Sequence, residues 1–188
     1  MRWNIPNILT VLRILLIPVF VGIFYLPETM ISPHMVNLCA TLAFALAAVT
    51  DWLDGYLARA LNQASAFGAF LDPVADKLMV AAALIVLVEF GRVGAVIALI
   101  IIGREIAISA LREWMAALGE GKSVAVAMVG KLKTGFQMAA ILILLYHDQF
   151  WLLDMQLIGS VMIYIAAFLT LLSMAYYLKA AWPQMREG

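Results

Sequence analysis

The sequence predicts an all-α integral membrane protein, a six-transmembrane-helix bundle with both termini cytoplasmic. Three observations lead there. Hydrophobic residues make up 65% of the 188 residues and charged residues only 13%, against about half and about a quarter in ordinary soluble domains. The apolar residues fall in long runs, each near the length of about 20 residues that crosses the hydrocarbon as a helix. These runs are too long and too uniformly apolar for the alternating strands of about ten residues that build a membrane barrel.

The elements follow in order. A first span over 8–26 comes after Arg2. It is longer than a signal-peptide core and lacks a small-x-small cleavage site, so it reads as a retained helix. Pro27 and Pro33 mark the next turn, and spans two and three cover 36–61 and 69–90. Gly91 ends the third, and a fourth runs over 93–118. The Gly119 to Gly130 stretch forms a long loop before span five at 130–147. His147 to Asp154 turns the chain into span six at 155–181. Six spans with short connections use the whole chain, which predicts a single membrane domain over 1–188. Cys39, the one cysteine, excludes an internal disulfide and a cysteine-rich metal site, and reads as packing.

Twelve basic residues balance twelve acidic ones, so their placement carries the information. If the spans alternate, Arg2, Arg59, Lys77, Arg112, Lys122, Lys131, Lys133, Lys179 and Arg186 share one side. The other side has Arg92 alone, and its first and last loops have no Lys or Arg. The excess of positive charge assigns the first side, with both termini, to the cytoplasm. Trp3, Trp114, Trp151 and Trp182 fall near span ends, as interfacial anchors do. There is no basic surface for a nucleic acid.

Four aspartates lie in or beside spans two and three. Asp51 and Asp54 are three apart and Asp72 and Asp76 four apart, so on helices each pair projects from one face. Asp51 sits roughly 15 Å inside the end of its span. At that depth a carboxylate facing lipid is costly, so the acids are expected to face the bundle interior or a water-filled cavity. Four carboxylates with few local cations repel one another, and a pair of hard divalent ions, Mg²⁺ or Mn²⁺, relieves that repulsion. Two such ions suit the displacement of a phosphate oxygen by an oxygen nucleophile. Asp72 before Pro73 also fits a plain helix cap, and Arg59 a snorkelling interfacial arginine. Intramembrane acids also mark cation transporters, but those distribute them through the membrane depth, whereas here they crowd one connection and its flanks. His34 and His147 fall on the opposite side and are poor ligand candidates.

The stretch as a whole reads Asp-x2-Asp-Gly-x2-Ala-Arg-x8-Gly-x3-Asp-x3-Asp, filled by Asp51, Asp54, Gly55, Ala58, Arg59, Gly68, Asp72 and Asp76. It resembles the signature of the CDP-alcohol phosphotransferase family at every fixed position. The resemblance implies a six-helix membrane bundle, usually a homodimer, that cleaves a CDP-activated lipid or alcohol with release of CMP. It makes Asp51, Asp54 and Asp72 metal ligands, and Asp76 a second-metal ligand and general base. Gly55, Ala58, Arg59 and Gly68 would line the CDP-lipid site, with Thr10 and Arg13 contributing to its nucleotide side.

Further stretches match the branch of that family that transfers a phosphatidyl group from CDP-diacylglycerol to sn-glycerol 3-phosphate. They run from Asn4 to Arg13, through Arg104-Glu105 and Leu111 to Trp114, and from Ser123 to Gln137. The resemblance implies a bacterial inner-membrane enzyme of phospholipid biosynthesis with its site facing the cytoplasm. Glycerol 3-phosphate is a small dianion, and Arg104, Arg112, Lys131 and Lys133 are the cations expected around its phosphate. Arg104 beside Glu105 also reads as a buried structural pair. Sister enzymes use other alcohols, such as inositol phosphate, serine or a second phosphatidylglycerol. A neutral or zwitterionic acceptor leaves the basic quartet unexplained.

Overall fold

In the computed structural model, residues with cap or turn chemistry set several of the helix ends. The structure describes residues 5–60, 66–117, 127–149, 151 and 153–187. Within these ranges it does not describe the side chains at 5, 6, 54, 55, 58, 59, 66, 69, 116, 117, 127–131, 180 and 183–187. The described residues form six helices: α1 (Ile5–Ile23), α2 (Pro33–Ala60), α3 (Ala66–Glu89), α4 (Ala95–Ala117), α5 (Ala127–Tyr146) and α6 (Met155–Glu187).

Several ends differ from expectation by a few residues, for local reasons. Helix α1 stops at Ile23 because the amides of Phe24, Tyr25 and Leu26 bond carbonyls three residues back, at 3.1, 3.1 and 3.4 Å. That tightens the last turn ahead of Pro27. Helix α2 starts early because Pro33 takes the first helical position, where its missing N–H has no helical partner to lose. Ser32 Oγ accepts from the Met35 amide at 3.4 Å. Helix α3 starts at Ala66 and continues through Pro73, so Asp72 lies inside the helix and is not its cap. Its far end is closed by Gly91 at φ 68°, with the Gly91 amide on Val88 O at 3.0 Å and the Arg92 amide on Leu87 O at 2.8 Å. Asp154 caps α6, accepting from the Leu157 amide at 3.0 Å.

Helix α1 packs on α2 and α3, while α6 packs on α5 and α4; contacts of α2 with α5 and of α3 with α4 join these halves. The core between them holds Phe20, Phe44, Leu84, Leu87, Ile141 and Leu144, all essentially buried. Phe20 contacts the Phe24 ring edge-on at 5.8 Å and Phe44 at 6.3 Å. Helices α5 and α6 are in tight contact at Gly159, where an added Cβ would lie 2.6 Å from Leu144 Cγ.

The outside is apolar. The stretches Pro33–Leu53 and Met155–Lys179 are long and apolar enough to cross a membrane, and only 22% and 33% of their most apolar windows is buried. Most of each therefore faces outward, through residues such as Leu42, Leu46, Val49, Leu157, Val161 and Phe168. A water-exposed apolar surface of that extent is unfavourable. Trp52 is exposed as well, stacked on Tyr56 at 5.9 Å.

One end of the bundle is tied by a polar network centred on Arg92. Its guanidinium donates to Leu144 O at 3.1 Å and Leu145 O at 2.9 Å, the open carbonyls ending α5, and to Asn37 Oδ1 at 2.6 Å. Asn37 in turn donates to Asp148 at 3.2 Å, and His34 Nδ1 lies 2.7 Å from the other oxygen of that carboxylate. Gln156 closes the ring by donating to Arg92 O at 2.9 Å. Burial lowers the affinity of the Arg92 guanidinium for its proton, and Asp148 opposes that shift.

Candidate functional site

The acidic site is built from the near halves of α1, α2 and α3. On α1, Asn7, Thr10 and Arg13 recur every three residues and are all buried, which places them on one helix face. Thr10 Oγ1 donates to Asp72 Oδ1 at 2.6 Å. A single Arg13 nitrogen donates to Asp51 Oδ1 at 2.7 Å and also to Asp76 Oδ1. One nitrogen serving both carboxylates means that the acids of α2 and α3 converge on a common point. The Asp51 and Asp76 side chains remain 44% and 46% exposed, so the pairing with Arg13 does not enclose them. Gly68, one turn before Asp72, is buried.

Part of the charge of these acids is met by a cation that α1 supplies, Arg13, 38 residues before Asp51 and 63 before Asp76. The helix that reaches through Pro73 also removes the plain-cap reading of Asp72. Asp54, Gly55, Ala58 and Arg59 lie on α2, but their side chains fall outside the described residues.

Among the described residues, no three His, Cys, Asp or Glu side chains stand close enough together to hold a metal ion. Asp54, three residues after Asp51 in the same helix, has its side chain outside that description. The chemistry of the donor set nonetheless fits a hard divalent cation. Every acid in it presents carboxylate oxygen, and Asp51 and Asp76 already converge on a positive charge.

A second polar cluster spans α4, α5 and α6. Arg104, Lys133, Gln137, Thr170 and Ser173 are all buried in it. Arg104 donates to Ser173 Oγ at 2.6 Å, and Ser173 donates to the Thr170 carbonyl at 3.0 Å. Lys133 donates to Glu105, whose same oxygen lies 3.6 Å from Arg104. The expected Arg104–Glu105 pair is thus present, but Lys133 is the nearer partner of Glu105. Buried atoms without a hydrogen-bond partner among the described residues include Arg104 Nε, Gln137 Oε1 and Thr170 Oγ1.

Of the four cations expected around an acceptor phosphate, the structure brings Arg104 and Lys133 together. Arg112 is exposed two turns further along α4. The Lys131 side chain lies outside the described residues. Below Arg104, a cleft of about 590 Å³ opens between α4 and α6, lined by Ile108, Leu111, Trp114, Met174 and Leu178 among others.

Sequence reasoning assigned no role to Thr170 and Ser173. Their spacing of three was a signal, but hydroxyls in an apolar helix commonly bond a carbonyl of their own preceding turn, as Ser173 does, and so do not announce a partner. Asn37, an amide inside span two, was a stronger sign of internal hydrogen bonding.

The comparison with known proteins matches these placements to a family. A family model described as CDP-alcohol phosphatidyltransferase matches residues 3–172, which include both clusters except Ser173. A protein of Shigella flexneri serotype 5b (strain 8401) is 51% identical over 183 residues, covering 96% of this chain and 96% of its own. One of Escherichia coli (strain K12) gives the same identity and coverage. One of Pseudomonas fluorescens is 51% identical over 189 residues, covering 97% of this chain and 92% of its own. All three carry the name CDP-diacylglycerol–glycerol-3-phosphate 3-phosphatidyltransferase. With a family model spanning most of its length and relatives matched nearly end to end, this chain belongs to the CDP-alcohol phosphatidyltransferase family.

Proposed function

We propose that the protein transfers the phosphatidyl group of CDP-diacylglycerol to sn-glycerol 3-phosphate, giving phosphatidylglycerol phosphate and CMP. The observation that carries this reading is the end-to-end identity of 51% to enzymes named for that reaction. Two polar clusters of opposite character support it: converging carboxylates on α2 and α3, and buried cations on α4 and α5. The first suits the activation of a hydroxyl and a pyrophosphate, and the second suits a dianionic acceptor.

The chemistry divides among named residues. Asp51, Asp54, Asp72 and Asp76 would hold two divalent ions, Mg²⁺ or Mn²⁺, which supply charge neutralisation for the pyrophosphate and the departing CMP. Asp76 accepts the proton of the acceptor hydroxyl. The hydroxyl oxygen forms its bond to the lipid-bearing phosphorus, and the bond from that phosphorus to the CMP oxygen breaks, CMP taking the electron pair. Thr10 and Arg13 orient the acids and offer donors on the nucleotide side, with Gly55, Ala58, Arg59 and Gly68 lining the CDP-lipid site. Arg104, Arg112, Lys131 and Lys133 receive the acceptor phosphate.

The outward-facing apolar surface supports one membrane domain over 1–188, crossing the bacterial inner membrane six times with both termini and the site in the cytoplasm. A homodimer is the expected assembly.

The test is purified protein in detergent with CDP-diacylglycerol, Mg²⁺ or Mn²⁺, and a panel of acceptors, reading CMP release. Glycerol 3-phosphate is expected to support turnover, and Asp76→Asn to abolish it while the folded protein still binds CDP-diacylglycerol. Turnover with serine or inositol phosphate alone would replace the acceptor. Near-normal turnover in Asp76→Asn would remove Asp76 from the role of base.

A further inference from the structure

Helices α4 and α5 follow one another in the chain, yet among the described residues they do not pack directly; both lean on α6. What crosses between them is a side-chain link, Lys133 of α5 donating to Glu105 of α4. That carboxylate oxygen also lies 3.6 Å from an Arg104 nitrogen, so one acid faces two buried cations. A lysine and an arginine this enclosed repel each other and lose hydration; without a counter-charge the pair would splay apart.

We propose that Glu105 is the positioning residue of the acceptor site, holding Lys133 and Arg104 charged and convergent so that they meet an incoming phosphate together. The proposal rests on the reading of those cations as the phosphate site. Three features of the geometry support it. Two cations against one carboxylate leave an excess of positive charge, so Glu105 organises the site without cancelling it. Ser173 holds a second Arg104 nitrogen at 2.6 Å, so the guanidinium plane is fixed from two sides. Arg104 Nε is buried with no hydrogen-bond partner among the described residues, a donor available to an incoming oxygen. Glu105 itself touches neither substrate nor the reacting atoms; it acts through Lys133 and Arg104.

Steady-state CMP release, with glycerol 3-phosphate varied at saturating CDP-diacylglycerol and then the reverse, tests this. Glu105→Gln is expected to raise the KM for glycerol 3-phosphate at least about tenfold while the KM for CDP-diacylglycerol stays within about twofold. Glu105→Asp, which keeps the charge, is expected to recover part of that loss and keeps the test open if Glu105→Gln fails to fold. Lys133→Ala and the double variant complete a cycle. Because Glu105 acts through Lys133 as well as Arg104, the double variant is expected to raise the acceptor KM by less than the product of the two single effects. Additive effects, an unchanged acceptor KM in Glu105→Gln, or equal damage to both substrates' KM values would each overturn the proposal. If Lys133→Ala leaves the acceptor KM unchanged, the cation-site reading falls and takes this proposal with it. If Lys133→Ala raises that KM and Glu105→Gln does not, only the role of Glu105 falls.

Discussion

Arg13 and Thr10 decide how the acidic site behaves. Each carries one side of a buried or half-buried hydrogen bond to a carboxylate, and bonds to charged groups contribute about 1.5–3 kcal/mol. Thr10→Val keeps the shape and removes the donor to Asp72. It is expected to lower stability by about 1–2 kcal/mol and to reduce kcat with little change in the acceptor KM. Thermal melting and CMP release on the same preparation check both. The aspartates themselves were legible in the sequence, because four carboxylates deep in apolar spans are expensive and their spacing is periodic. Their pairing with Arg13 was not. A buried charge declares that it needs a partner, but a guanidinium 38 and 63 residues away in sequence is found only when the helices are packed.

At the level of the helices, the six elements were legible because each is a long apolar run, while their ends were displaced by about a turn. Apolarity does not stop at a cap, so Phe24, Tyr25 and Leu26 extended the expected α1, and Pro33 was read as turn when it is the first residue of α2. The tight α5–α6 contact was hidden too, since a lone glycine in an apolar helix has several meanings. Gly159→Ala is expected to destabilise the protein by about 1–3 kcal/mol, because the added methyl meets Leu144, a fully buried side chain with no room to withdraw. A lower melting temperature in detergent is the readout, and an unchanged one would show that α5 and α6 can separate freely. Gly22→Ala, at a glycine with open space around it, is the matched control.

For the whole molecule, the two ends of the bundle differ in kind. The Arg92 end is closed by hydrogen bonds that link α2, α5, α6 and the α3–α4 turn. The other end carries half-exposed carboxylates, and Arg104 Nε, Gln137 Oε1 and Thr170 Oγ1 are buried there with no hydrogen-bond partner among the described residues. The sequence reading treated Arg92 as the lone basic residue of its side and gave it no task; its neighbours come from four separate stretches of chain. Arg92→Met keeps the apolar contact with Phe24 but strips the donors, leaving two carbonyls and Asn37 short of a partner. It is expected to lower stability by at least about 2 kcal/mol. Amide exchange should quicken at residues 143–147 before it does in the core around Phe20. Uniform quickening throughout would show that Arg92 does not fasten this end separately.

The Arg92 network also fastens the chain just ahead of α4. A helix of 23 residues such as α4 is about 35 Å long. A change of about 5° in its direction at the fastened end would therefore displace its far end by about 3 Å. Hydrogen bonds at the Arg92 end thus help set where Leu111 and Trp114 stand at the other end of the same helix.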